Sequence, residues 1–527
     1  MSAQLDKNAT SHSGQAPHAP HASLRETSLT FSRPLDMFEF SYVRGRGQLG
    51  CGDVYTIALL SCTGGHAITD EEVVAACASL RLRHPLLGSK VTFSSPQFPE
   101  LSFTAPLSEG HALRTARAQI EFHTFEDQEV AAEALSDLWM STPADEVLDI
   151  RDANCSLWWG KSADPDAGEY VFGLRTTHAF TDGRRGLNVV RCFMELLASP
   201  GRARMELAAH FAGDTTVVGM PPAIESLWPK IGLSDEEMAK AKVAFDEIVK
   251  YIDKPFSGLS LEGPANADGI VARCIRHVWN QEETSHILQT CKEQGVTITA
   301  LVNSASALAS VRAVSEPGNL LADDAYYFEF IQAIDLCSKV PRTSTNGEVE
   351  TACHILVYPI IIRVPRAVAH SENISCAVFD TAREFKARSA EFVQSPYFWY
   401  FLDMYLPLLG QRYISKLSGT CKPLMPLMSS LGELKTLLPS QYPVTHPEVK
   451  GNGGNRDGGR PPAEINIKDQ TTAGRADAQT LVFLLCTFDG KLYLHLRWNA
   501  GRLSEARTSK WFKRTVDIIS GVSTDVQ

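Results

Sequence analysis

Several features that would point to a function class are missing from this chain. The longest apolar runs, Leu481–Cys486 and Ile355–Ile362, fall far short of the ~20 residues a membrane span needs. No Lys/Arg-rich subregion appears, and 50 Lys+Arg against 61 Asp+Glu give a formal net charge of −11. Bulk electrostatics therefore do not favour a nucleic-acid backbone as partner. The 12 cysteines form no CxxC pair and no Cys/His spacing of a zinc site. In a reducing compartment most are expected to be free thiols, buried as small apolar residues. Met1–Leu24 is polar and lacks the apolar stretch of a secretory signal. An intracellular, cytoplasmic protein is expected, in which the Asn-x-Ser/Thr triplets at Asn8, Asn154 and Asn373 are chance matches.

What is present is ordinary globular composition, with 44% apolar and 21% charged residues. A length of 527 residues suggests two to four domains. Residues 1–27, rich in Ser, Ala, His and Pro, read as a disordered arm whose His12, His18 and His21 are solvated. Strands and helices then alternate in two halves, which predicts an α/β (α+β) protein with two domains of similar size. The first, 28–220, has strands at Val54–Cys62 and Tyr170–Thr177, a helix opened by the Thr69/Glu72 capping box, and a helix over Gln128–Met140. A helical connection, 221–265, opens on Ser234 with Glu237. The second domain, 266–527, has strands at Gly269–Val278, Tyr327–Ile334 and His354–Val364. Its helices follow the Asn280/Glu283 box, then span Thr299–Val311, Asn373–Phe392 and Glu505–Ile519. Leu481–Thr487 and Lys491–Trp498 form a hairpin through Phe488-Asp489-Gly490. Residues 448–478, rich in Gly, Asn, Arg and Pro, read as a flexible surface insertion. The aromatic stretch Tyr397–Leu409 suits either a core helix or the wall of a bulky ligand pocket.

Three motifs offer chemistry. Gly45-Arg-Gly47-Gln-Leu-Gly50 matches the dinucleotide fingerprint in letters, but strand chemistry follows it where a helix must begin, so it reads as a loop. His66-Ala-Ile-Thr-Asp70 is explained by Thr69 as a helix N-cap. His178-Ala-Phe-Thr-Asp182-Gly183 is different. A strand delivers His178 at its carboxyl end, Asp182-Gly183 turns the chain and a helix leaves. That edge is where ligands lie in α/β proteins, and His is the side chain suited to proton transfer near neutral pH. Asp182 folds back to brace the loop, and Gly183 leaves room for a substrate tunnel. Among 15 histidines, average Asp and Gly usage gives about 0.05 chance matches.

The hexapeptide resembles the active-site motif of the CoA-dependent acyltransferase superfamily, the group with the chloramphenicol-acetyltransferase-like or condensation-domain fold. Weaker similarities extend over most of the chain and resemble the fungal alcohol and trichothecene acetyltransferase branch. They are Arg33-Pro-Leu35, Ser79-Leu-Arg-Leu-Arg-His84-Pro-Leu-Leu, Gly295-Val-Thr-Ile-Thr299, Ala333-Ile-Asp335-Leu336 and Ser429-Ser-Leu-Gly432. Cys337 stands where that branch usually has Arg, Ser430 where it has Asn, and Thr177 where many relatives have a first His. No D-F-G-W-G occurs, so the plant branch fits poorly.

The resemblance implies two domains, each a mixed sheet with flanking helices, and a channel between them. Acyl-CoA, with acetyl-CoA expected, enters as co-substrate and meets a small hydrophobic alcohol or amine at His178, the general base. Asp182 pairs with a basic residue and is structural, as is Gly183. Ser429, Ser430 and Gly432 are candidates for oxyanion or channel contacts. No metal and no permanently bound cofactor are expected, and the chain is expected to be a monomer acting on a fungal secondary metabolite. Two alternatives keep the fold: a carrier-protein thioester as donor, or a cofactor-free cyclase or pericyclase that has repurposed the channel. A non-catalytic binding protein is the remaining reading.

Overall fold

The computed structural model describes residues 29–49, 52–93, 99–142, 146, 148–214, 219–230, 232–252, 256–260, 262, 271–313, 324–340, 352–417, 425–445, 462–475 and 481–524. The arm at 1–27 lies outside them, apart from which most of the expected elements fall within. In chain order the strands are β1 (Thr30–Pro34), β2 (Asp53–Cys62), β3 (Lys90–Thr92), β4 (Glu100–Thr104), β5 (Ile120–Phe125), β6 (Cys155–Ser162), β7 (Glu169–Thr177) and β8 (Ala272–Trp279). They continue as β9 (Ala325–Asp335), β10 (Ile355–Pro365), β11 (Leu427–Glu433), β12 (Gln441–Pro443), β13 (Glu464–Gly474), β14 (Val482–Phe488) and β15 (Lys491–Asn499). Two six-stranded mixed sheets result, ordered β12-β13-β2-β7-β6-β5 and β10-β9-β11-β14-β15-β8, beside a small sheet β1-β4-β3.

Local chemistry accounts for the main boundaries. Thr69 accepts from the Glu72 amide while the Glu72 carboxylate accepts from the Thr69 amide, which opens the helix Asp70–Arg83. Asn280 and Glu283 do the same for Gln281–Glu293, and Ser234 and Glu237 for Asp235–Ile252. Between β14 and β15 the turn residues Asp489 and Gly490 have φ of 48° and 73°, the positive values that a tight hairpin turn requires. β14 is buried on both faces, as expected of a strand at the centre of a covered sheet.

Two apolar cores follow from these layers. In one, the helices Ile298–Ala313, Ile374–Val393 and Glu505–Thr524 cover the second sheet through Leu301, Leu308, Phe379, Phe385 and Trp511. In the other, the helices Asp70–Arg83 and Gly183–Leu197 cover the first sheet, and the same cluster continues into Leu431, Leu484 and Tyr493 of the second. The two sheets thus share a continuous apolar contact. Among the described residues no helix is long and apolar enough to cross a membrane.

The structure differs from the sequence reading in two places. Residues 464–474, inside the expected flexible insertion, form β13, which pairs antiparallel with β2 from Ile465↔Cys62 to Gly474↔Val54. Together with β12 it gives the first sheet two strands from beyond residue 440, so 266–527 builds the whole second sheet and also part of the first. Alternating Ile465 and Ile467, 0% and 3% exposed, drive this pairing; the polar neighbours hide it. The rest of the insertion, 448–461 and 476–478, lies outside the described residues. The glycine motif at Gly45 is the second case. It continues a helix, Met37–Leu49, and β2 follows, which is the wrong order for a dinucleotide site.

That helix is anchored by a buried charge cluster. Arg46 donates to Asp53 Oδ1 at 2.7 Å and Arg175 to Asp53 Oδ2 at 2.5 Å, and Arg46 also reaches the Leu148 carbonyl. All three side chains are essentially sealed from solvent. Removing the single anion leaves two buried guanidiniums without it, which typically costs about 3–5 kcal/mol. Asp53→Ala is expected to lose that much in chemical denaturation. A loss under about 1 kcal/mol would show that water reaches the arginines.

Candidate active site

His178 stands one residue past β7. Its amide donates to the Gly52 carbonyl at 2.5 Å, one step beyond the Asp53↔Thr177 pair of the β2–β7 ladder, so the sheet itself fixes the residue. A tight turn returns the Thr181 carbonyl to His178 Nδ1 at 3.0 Å. A carbonyl only accepts, so Nδ1 carries the proton and Nε2 keeps its lone pair. Tyr42, from the helix Met37–Leu49, stacks on the imidazole with centroids 4.5 Å apart and planes 12° from parallel. Cys353 Sγ lies 3.8 Å from Nδ1. Burial pushes the His178 pKa below its ordinary value, against the opposing pull of Asp182. The ring is therefore neutral near pH 7.

Among the described residues Asp182 makes no hydrogen bond to the imidazole. Its Oδ1 caps the helix Gly183–Leu197 by accepting from the amides of Arg184 and Arg185 at 3.0 and 3.1 Å. Oδ2 accepts from Arg185 Nη1 at 2.7 Å and from the His354 amide at 3.0 Å. Burial alone would raise this carboxyl. The Arg185 charge, the His354 and Arg185 amides and His178 outweigh burial and hold its pKa below the ordinary value. Arg185 also donates to Asp335 Oδ1 at 2.9 Å and meets Cys337 Sγ, while Arg184 Nε lies 3.2 Å from Asp335 Oδ2. The basic partner expected for Asp182 is thus Arg185 on its own helix, three residues on. His354, beside it, is lowered to about 4 by burial and by the Arg185 charge.

A Cβ at Gly183 would sit 3.0 Å from Leu431 Cδ2, so the missing side chain lets β11 approach the helix start closely. Arg184 Nη1 donates to the Leu431 carbonyl at 2.7 Å, which docks the strand carrying Ser429, Ser430 and Gly432 against the helix start. Gly432 has φ of 75° next to a bulge in the β11–β14 register. Ser430 accepts from Thr299 Oγ1 at 3.0 Å and Ser429 is half-buried. Among the described residues neither serine is bonded to His178.

The sequence reading missed Tyr42, Cys353 and Arg185. Arg185 carried a signal, since an acid at a helix start and a base three residues later can meet. Tyr42 and Cys353 carried none, because only the tertiary fold brings them to His178. Among the described residues no group of three or more His, Cys, Asp or Glu side chains is placed to hold a metal ion.

This arrangement is that of a two-sheet acyltransferase and condensation-domain fold, with the histidine loop at the seam between the sheets. No family model and no curated protein sequence matches the chain. Among solved structures it is similar to the trichothecene 15-O-acetyltransferase of Fusarium sporotrichioides, at 15% identity and TM-score 0.73 over 94% of this chain and 96% of that one. The condensation domain of the monacolin K polyketide synthase matches at 11% identity and TM-score 0.56, over 95% of this chain and 98% of that one. The first condensation domain of the calcium-dependent antibiotic synthetase matches at 13% and 0.57, over 94% and 96%.

Asp182→Ala removes a helix cap and the anion facing Arg185 together. It is expected to cost about 3–5 kcal/mol, seen as a lower melting temperature, and to abolish turnover by releasing the loop. Unchanged melting with selectively lost turnover would give Asp182 a direct part in the chemistry.

Proposed function

We propose that this protein is an acyl-CoA-dependent O-acyltransferase, with acetyl as the expected acyl group, acting on a hydrophobic alcohol of secondary metabolism. The observation that carries the reading is the state of His178: Nδ1 is committed to the Thr181 carbonyl and the ring is held neutral, which leaves Nε2 as a base. Nε2 takes the acceptor's hydroxyl proton as its oxygen attacks the thioester carbonyl. The tetrahedral oxyanion then collapses, expels the CoA thiolate and forms the ester; the imidazolium returns the proton to the thiolate. Ser429, half-buried on β11, is the proposed oxyanion donor. Asp182, with both oxygens occupied, positions the loop. The likeness to the trichothecene 15-O-acetyltransferase supports the choice of an alcohol acceptor and a fungal setting.

A carrier-protein thioester is the second reading, favoured by the likeness to condensation domains at lower TM-scores. Assaying acetyl-CoA and acyl-loaded carrier protein side by side, with a panel of hydrophobic alcohols and mass detection, separates the two donors.

His178→Ala is expected to lower turnover by about 10²–10⁴-fold while the protein stays folded. In the wild type, activity should rise with pH as the imidazole loses its proton. Because burial lowers that pKa, the midpoint of the rise should fall below the ordinary value of 6.5. Near-wild-type transfer by the variant would exclude His178 as the base. A rise centred above 6.5 would mean that the charged form is the one stabilised.

A further inference from the structure

A cavity of about 670 Å³ lies between the helix Asp235–Ile252, the start of the helix Phe398–Leu417 and strand β10. That volume is in the range of small-molecule sites, roughly 300–1,000 Å³. Its wall on β10 runs from Pro359 to Arg363, opposite Ile331 to Tyr327 on β9. Asp335 is four to eight residues further along β9, or about 13–26 Å at roughly 3.3 Å per residue. None of the lining residues bonds to His178, Asp182, Arg185 or Asp335 among the described residues.

The lining has a definite chemical character. At one end Tyr251 stacks on Tyr327, with centroids 5.2 Å apart and planes 25° from parallel. At the other, Phe392 meets Phe401 edge-on at 4.7 Å and 80°, beside Tyr397. Between them Ile361 forms part of the floor and Val243 part of the roof. Charge does not select an ion: Lys240, Arg363 and Arg388 are matched by Glu236, Glu247 and Glu391. Lys240 is already paired with Glu236 at 2.7 Å and Arg388 with Glu384 at 3.5 Å. An anion bound here would lose hydration without gaining an unmatched cation, whereas a ring system gains aromatic contact at both ends. The helical roof is also incompletely covered, since Val243 is 64% exposed, which leaves a way in.

The geometry points to a second small-molecule site, separate from His178, that takes a neutral, ring-bearing apolar ligand. The probe is N-phenyl-1-naphthylamine, a neutral fluorophore that brightens in apolar surroundings, titrated into the full chain. Saturable binding is expected. Val243→Trp, which fills the roof from an exposed position, and Ile361→Trp, which fills the floor, should each weaken it at least tenfold, while His178→Ala should not. The same skeleton bearing a sulfonate, 8-anilino-1-naphthalenesulfonate, should bind at least tenfold more weakly than the neutral probe. Unchanged affinity in both tryptophan variants, each checked for folding by circular dichroism, would overturn the site. Sulfonate binding as tight as the neutral probe's would overturn the ligand class. Neither readout involves acyl transfer, so the site and the proposed chemistry fail or stand separately.

Discussion

The buried carboxylate of Asp182 is the constraint on which the rest of the site depends. A carboxylate sealed from water is tolerated only when its oxygens are fully occupied, and here the donors come from both halves of the fold. Two amides and a guanidinium belong to the helix Gly183–Leu197, and the fourth donor is the His354 amide just before β10. Arg185 extends the network to Asp335 at the end of β9. The first sheet's histidine loop and the second sheet's β9–β10 pair are therefore held by one electrostatic unit. Its members stabilise each other only when both sheets are in place.

A second buried cluster holds the other side of the imidazole. Asp53 sits between Arg46 and Arg175 and so ties the helix Met37–Leu49 to the first sheet. That helix presents Tyr42 to His178. The residue before Asp53, Gly52, supplies the carbonyl that fixes the His178 amide. The ring thus has a stacked face, an occupied Nδ1 and an anchored backbone, which restricts it to one orientation. Orientation of this kind lowers the entropy that a proton transfer must otherwise overcome.

Much of this fold was legible in the sequence because its signals are local. Capping boxes at Thr69, Ser234 and Asn280, the Asp489-Gly490 turn and the strand–His–Asp-Gly–helix order each specify backbone conformation within a few residues. The illegible parts are of two kinds. β13 alternates apolar and polar residues in a segment whose Gly, Asn and Arg content reads as a loop, and only its partner β2 makes it a strand. The helix through Gly45 and Gly47 contradicts glycine's low helix propensity; the burial of Arg46 against Asp53 overrides it. At the site, His178, Asp182 and Gly183 share one hexapeptide and were visible together. Tyr42, Cys353 and Asp335 reach them only through tertiary contacts. The packing of Gly183 against Leu431 was hidden for the same reason, since nothing near it in sequence announces that contact.

The division of labour between Asp182 and His178 follows from counting lone pairs. A carboxylate that orients a catalytic imidazole must accept from its Nδ1–H, but here that proton goes to the Thr181 carbonyl, and each Asp182 oxygen already accepts two donors. Asp182 acts on His178 only through its field, which favours the imidazolium. Burial opposes that field and prevails in the resting state. The balance suits a base that must be neutral before the reaction and stabilised once it has taken a proton. A neutral backbone carbonyl orients the ring without locking it in the charged form, and the field of the buried Asp182 carboxylate would favour the ring in any step that protonated it.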